Sequence, residues 1–181
     1  MKLIRSIVST FIVAIVIIGS IFCAYRLFSL KYVHEIRQSA DEMGVDRFLV
    51  AALIKAESNF NVDAISRADA KGVMQLTDET AQFCAEKMGI ELNEGDIYSP
   101  AINIRLGTFY LSRMLNLFDG DERLAVAAYN AGEGRVQEWL KNPTLSTDGE
   151  SLDFIPYEET RRHVEKIETY KKIYKLLYPN L

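Results

Sequence analysis

The chain has 181 residues, enough for one domain with a real core, and 49% of them are apolar, which excludes disorder by composition. The formal net charge is −4 with both signs spread along the sequence, so no basic surplus exists to neutralise phosphates and nucleic acid is excluded as the main partner. Two cysteines, Cys23 and Cys84, cannot make a disulfide framework, and their settings, an apolar run and a predicted helix, argue against pairing.

The first element is an apolar run from Ile7 to Tyr25, about 19 residues, close to what a bilayer core requires. Lys2 and Arg5 precede it, and Arg26 and Lys31 follow, so the flanking charges give little preference for orientation. The run is long for the core of a cleaved signal peptide and has no small-residue cleavage site after it. Phe22 before Cys23 is a poor fit to lipoprotein processing. Residues 1–31 are therefore expected to be an uncleaved membrane anchor, and residues 32–181 one compact domain.

Within that domain Asp46 is placed to cap a helix through Arg47–Ser58, ending near Asn59. Thr77 caps a second, which Gly89 stops. Ser99-Pro100 starts a third, carrying Ile104, Phe109, Leu111, Met114, Leu115 and Phe118 and ending before Gly120. Asp121 caps a fourth through Asn130-Ala131, broken at Gly132, and a short helix spans Val136–Leu140. Lys141–Phe154 is polar and aperiodic, a loop. The last helix, about Tyr157–Leu177, has Val164, Ile167, Ile173 and Leu176 at spacings of three and four. Alternating apolar runs are scarce, so any sheet is small and the fold class is all-α.

Residue types remove several chemistries. His34 and His163 are far apart with no ligand pattern around them, so no metal and no cofactor are expected. No nucleophile elbow or phosphate loop is present. Asp119-Gly120-Asp121-Glu122 reads as a turn and helix cap in preference to a calcium loop. Glu57 is the informative acid: it ends an apolar helix, with Ile54 and Leu53 three and four residues before it. A carboxyl desolvated in such a place keeps its proton more readily, the condition for a general acid. The competing reading of this segment alone is a solvated glutamate at a frayed helix end.

The surrounding motifs decide between the two. Glu57-Ser58-Asn59-Phe60-Asn61 is followed by Gly72-Val73-Met74-Gln75, then Ala127-Ala128-Tyr129-Asn130-Ala131-Gly132, then Ile155-Pro156-Tyr157-Glu158-Glu159-Thr160-Arg161. In this order and spacing they resemble the soluble lytic transglycosylase (SLT) domain, related to goose-type lysozyme, over about residues 35–178. The resemblance implies a lysozyme-like helical fold and one catalytic carboxylate, Glu57. It implies a cleft lined by Gly72–Gln75, with Ser58, Ser66, Met74, Gln75, Tyr129, Asn130 and Glu159 as substrate-binding residues. The implied partner is the glycan strand of peptidoglycan, cut between MurNAc and GlcNAc with closure of a 1,6-anhydro ring.

Three positions depart from the family pattern. Val62 stands where proline is common after the motif asparagine, Asp69 where glycine is common before G-L-M-Q, and His163 where tyrosine is common in R-x-Y-V. Two other functions stay open from sequence: a hydrolytic muramidase in which Asp63 or Asp69 holds a water, and a noncatalytic peptidoglycan-binding component of a cell-envelope assembly.

Overall fold

The computed structural model describes the backbone of residues 2–181 and the side chains of residues 10–181. The side chains of Lys2 and Arg5, the charges expected before the apolar run, lie outside the described residues, as does the side chain of Ile7. The chain divides into two units, Met1–Lys31 and Tyr32–Leu181.

The first unit is one helix, α1 (Lys2–Leu27). Its window Thr10–Leu27 has a mean hydropathy of 2.2 and none of it is buried, so Phe11, Ile18 and Phe22 are exposed on all sides. The hydroxyl of Ser20 donates to the Val16 carbonyl at 2.8 Å, which satisfies it without water. Cys23 is exposed on this helix.

The second unit is helical: α2 (Val33–Met43), α3 (Arg47–Glu57), α4 (Asp78–Met88), a single 3₁₀ turn (Asp96–Tyr98), α5 (Pro100–Leu117), α6 (Glu122–Ala131), α7 (Glu133–Leu140) and α8 (Glu158–Leu177). Among the described residues pairing of the β type is limited to two isolated bridges, Ile65 with Lys71 and Lys71 with Leu76. The expected starts hold for physical reasons. Asp46 accepts from the Phe48 amide at 2.8 Å, Thr77 from the Thr80 amide at 3.2 Å and Asp121 from the Leu124 amide at 2.9 Å. Asp121 thus serves as a cap, and Gly120 before it adopts a φ of 85° in the turn. Pro100 opens α5 at its first turn, although the Ser99 side chain makes no capping bond. α7 begins three residues earlier than the sequence suggests, directly after the Gly132 break.

α2 carries no start signal. Tyr32 before it is left-handed (φ 54°) and makes no side-chain cap. The helix is held by its neighbours: Ile36, Ser39 and Ala40 are buried, Arg105 of α5 donates twice to Glu42, at 3.0 and 2.6 Å, and Ser112 caps the Met43 carbonyl at 3.0 Å.

The core forms around α3 and α6. Leu49 to Ile54 are all buried on α3 and Leu124 to Ala128 on α6, so both middles are covered on every side. α8 is amphipathic and offers Val164, Ile167 and Tyr174 to that core. Its far end is locked by Lys171, whose ammonium lies 2.9 Å from Asp46 and 2.6 Å from Glu122. Burial alone would lower the Lys171 value, yet its hydrogen bonds to both carboxylates hold it above the ordinary lysine range. With the starts of α3 and α6 tied to α8, their apolar middles run to opposite ends, where Glu57, Tyr129 and Asn130 emerge.

Candidate active site

Glu57 is the last residue of α3, and the chain turns sharply after it. Asn59 and Phe60 both take left-handed φ, 54° and 62°, a conformation that non-glycine residues adopt at a cost. Burial of Phe60 offsets the cost: its ring is 2% exposed and lies 6.4 Å from the rings of both Tyr32 and Tyr174. Ser58 fixes the other side of the turn, donating to the Val73 carbonyl at 2.7 Å. Glu57 is not a frayed terminus: its side chain is 15% exposed.

The Gly72–Gln75 segment is pinned from below by Asn103 of α5, which is fully buried. Asn103 accepts from the Met74 amide at 2.8 Å and donates to the Lys71 and Ile97 carbonyls at 3.1 and 2.8 Å. Gly72 is required here, because its φ is +75° and a Cβ would meet the Ile97 carbonyl oxygen at 2.7 Å as well as the Asn103 amide. Gly107 permits the same close approach on α5, where a Cβ would fall 2.8 Å from the Met74 Cβ.

A cleft of about 500 Å³ is lined by Glu57, Ser66, Gln75, Tyr129, Asn130 and Glu159, together with Arg67, Ala68, Ala70, Leu76, Thr77, Thr80 and Tyr110. Six of the eight residues expected at the site therefore meet in one hollow. Tyr129 donates to the Met74 carbonyl at 2.9 Å and stands edge-on to Tyr110, centroids 5.3 Å apart. Burial, and then the neighbouring Glu57 charge, push the Tyr129 phenol well above the ordinary tyrosine range, so it remains a neutral donor. Gln75 donates to the Ala64 and Gly72 carbonyls at 3.0 and 2.9 Å. Ser66 accepts from the Ala68 and Ala70 amides at 3.2 and 3.1 Å, and Asn130 accepts from Thr160 at 2.7 Å. Glu159 is exposed in the first turn of α8.

The Met74 side chain is wholly buried, packed on Gly107 and off the cleft lining; its amide and carbonyl bond Asn103 of α5 and Tyr129 of α6. Ser58 likewise lies off the cleft lining, with its hydroxyl engaged by Val73.

Arg67, Thr80 and Tyr110 also join the lining and carry no signal in sequence that singles them out. Thr80 is masked by its role in the α4 cap, and Tyr110 by its place in an apolar helical pattern. His163 was marked only as a departure from the family pattern. It stands against the acid: Nε2 lies 3.1 Å from Glu57 Oε1, and the two side chains are 12% and 15% exposed. A second hollow adjoins the cleft, sharing Asn130 and Glu159 and continuing along Arg135, Pro156 and Tyr157. There the Arg135 guanidinium lies 5.3 Å from the Tyr157 ring centre.

Known proteins resemble this chain in sequence and in fold. A soluble lytic murein transglycosylase of Haemophilus influenzae, so named, is 35% identical over 138 residues, covering 75% of this chain and 23% of that protein. The structure of an inactive glutamate-to-glutamine variant of lytic transglycosylase Slt from Pseudomonas aeruginosa superposes with a TM-score of 0.75. It is 36% identical, and the match covers 82% of this chain and 24% of that one. The 70-kDa soluble lytic transglycosylase of Escherichia coli gives a TM-score of 0.76 at 28% identity, over 84% of this chain and 25% of that one. That 70-kDa enzyme has also been solved in complex with bulgecin A. The chain thus spans about a quarter of the length of these relatives. Residues 34–150 match the transglycosylase SLT domain, and the chain belongs to that family.

Proposed function

We propose that this chain is a peptidoglycan lytic transglycosylase that cleaves the β-1,4 bond between MurNAc and GlcNAc, with Glu57 as its single acid and base. The observation that carries the reading is the position of Glu57: a largely buried carboxyl at a helix end, opening into a cleft whose other lining groups are mostly neutral hydrogen-bonding side chains. Protonated Glu57 donates to the glycosidic oxygen as the bond from that oxygen to C1 of MurNAc breaks. The MurNAc 2-acetamido carbonyl supports the positive centre from the other face. Glu57, now ionised, takes the proton of the C6 hydroxyl, whose oxygen bonds to C1 and closes the anhydro ring. The internal nucleophile has the advantage of effective molarity over water. Tyr129 and Gln75 hold the cleft in shape around these two transfers.

A hydrolytic outcome commonly uses a second carboxylate to hold water. Asp63 and Asp69 are not on the cleft lining. Asp69 is 72% exposed and pairs with Lys71 at 3.3 Å. Glu159 does line the cleft and is the residue on which a hydrolytic reading rests. Digestion of purified peptidoglycan followed by mass analysis separates the two: the expected product ends in anhydro-MurNAc, lighter by one water than a hydrolysed end. Reducing MurNAc ends as the main product would overturn the lytic assignment.

We also propose that α1 is an uncleaved anchor that holds the catalytic unit at the outer face of the bacterial membrane, next to its substrate. Its unburied apolar window supports this. Recovery of intact N-terminal peptides from the membrane fraction is the expected result, and finding only chains that begin beyond Cys23 would refute it.

A further inference from the structure

His163 Nε2 is buried and makes no aligned hydrogen bond, although Glu57 Oε1 is only 3.1 Å away. The distance is that of a hydrogen bond and the direction is not. Catalytic hydrogen bonds in an empty cleft are often misaligned in this way and tighten when substrate binds. The helix carrying His163 is fixed on both sides of it. One turn before, Thr160 donates to Asn130 at the end of α6 at 2.7 Å. One turn after, Lys166 donates to the Ala56 carbonyl, beside Glu57, at 3.1 Å. The imidazole is therefore held against the carboxyl by elements pinned independently of it.

We propose that His163 is a positioning residue for Glu57, its Nε2–H bonding Oε1 so that the transferred proton is carried by Oε2. The proposal rests on the catalytic reading of Glu57 given above. It accounts for the orphaned buried nitrogen and gives the acid one defined working oxygen in both proton transfers, where a free carboxyl could present either. A tyrosine at this position could also donate to the carboxyl.

Other charged groups surround the pair. Lys55 on α3 and Lys166 on α8 lie close enough for their repulsion, after burial, to depress Lys55, and Lys55 is held by Asn59 at 2.5 Å. Tyr129 on α6 feels the Glu57 charge. On α8 itself, Glu159 lies on the cleft lining, and Arg162 pairs with Glu158 at 2.5 Å, both well exposed.

The test uses the full chain in detergent, with purified peptidoglycan as substrate. His163→Phe keeps a ring and removes the donor. It should lower kcat by roughly tenfold to a hundredfold with KM little changed and a native-like thermal midpoint. His163→Tyr, which puts a donor back at this position, should restore most of kcat. A His163→Phe protein with native kcat would overturn the proposal. Nitrogen-15 spectra of the two histidines, assigned with His34→Gln, provide a readout that needs no turnover. The proton should sit on Nε2 of His163, with a signal that moves in Glu57→Gln; a proton on Nδ1 alone, or an unmoved signal, overturns the proposal. If native protein and Glu57→Gln are equally inert, the catalytic reading fails and the nitrogen spectra alone decide the contact.

Discussion

One wall of the cleft is made of helix ends: Glu57 closes α3, Tyr129 and Asn130 stand in the last turn of α6, and Glu159 lies in the first turn of α8. The other wall is the irregular stretch from Ser58 to Leu76, held by the two isolated bridges and by side chains that bond the backbone. On the helical wall the carboxyl and the phenol project from rigid elements whose other ends are locked by Lys171. On the loop wall Ser58, Ser66 and Gln75 all bond main-chain atoms, and Met74 is buried. A motif residue on a helix end is therefore free to face the cleft, while the same kind of residue in the loop serves first to hold the loop. Substitutions on the two walls should differ accordingly: replacing the carboxyl of the first alters rate without altering fold, and replacing a residue that holds the second alters fold and rate together.

The largest effect expected is that of Glu57→Gln. The amide keeps the shape and hydrogen bonding of the acid but has no acidic proton to give. General acid–base assistance contributes roughly 10²–10⁴ in rate, and in the proposed mechanism both transfers use this residue, so turnover should fall by at least that range. The thermal midpoint should stay near native, since no backbone group depends on the Glu57 side chain. Retention of most of the turnover would remove Glu57 from the mechanism.

Asn103→Leu probes the loop wall from beneath. It replaces a fully buried amide by an apolar group of similar size and strips partners from the Met74 amide and the Lys71 and Ile97 carbonyls. Unsatisfied buried polar groups cost about 1–3 kcal/mol each, and with partial relaxation the loss of stability should be roughly 2–4 kcal/mol. Chemical denaturation measures it. Turnover should drop in parallel, because Gln75 follows the same backbone. A destabilised protein with native turnover would show that the loop wall does not shape the site.

The contrast between the walls also explains what could be read without coordinates. The caps at Asp46, Thr77 and Asp121 are local hydrogen bonds between residues two or three apart, and such signals survive in sequence. The start of α2 was invisible because Tyr32 makes no cap and the helix is held by Arg105 and Ser112, far along the chain. Six of the eight expected site residues meet in the cleft because the motifs place them there, four of them at helix ends. The burial of the Met74 side chain is not legible in its motif, which does not show whether a side chain or a backbone faces the cleft. Asn103 was missed because a polar residue inside an apolar helix looks like a surface position until its three main-chain partners, from Lys71, Met74 and Ile97, are brought to it. His163 looked like a departure because its meaning lies in a contact across 106 residues of chain, which no spacing rule records.

The smallest effect, and the sharpest test of whether the walls are coupled, is expected from Tyr129→Phe. The phenol donates to the Met74 carbonyl at 2.9 Å and so ties the helical wall to the loop wall. Removing one such bond should cost about 1 kcal/mol near neutral pH, read as a modest fall in the thermal midpoint with α6 otherwise unchanged. The pH dependence has a definite sign. In the native fold burial and then the Glu57 charge hold the Tyr129 value well above that of the unfolded chain, which is about 10 for tyrosine. Its contribution is therefore fully present below about pH 10 and declines above it, where the unfolded chain releases the proton and the folded one does not. Phenylalanine has no proton to release, so the stability gap between native and variant should narrow as pH rises past about 10. Tyr110 and Tyr174, whose values burial also raises, are present in both proteins and cancel in the difference. A gap that stays constant across the alkaline range would mean that the Tyr129 hydroxyl is open to water in solution and that the two walls are held together by Asn103 and Ser58 alone.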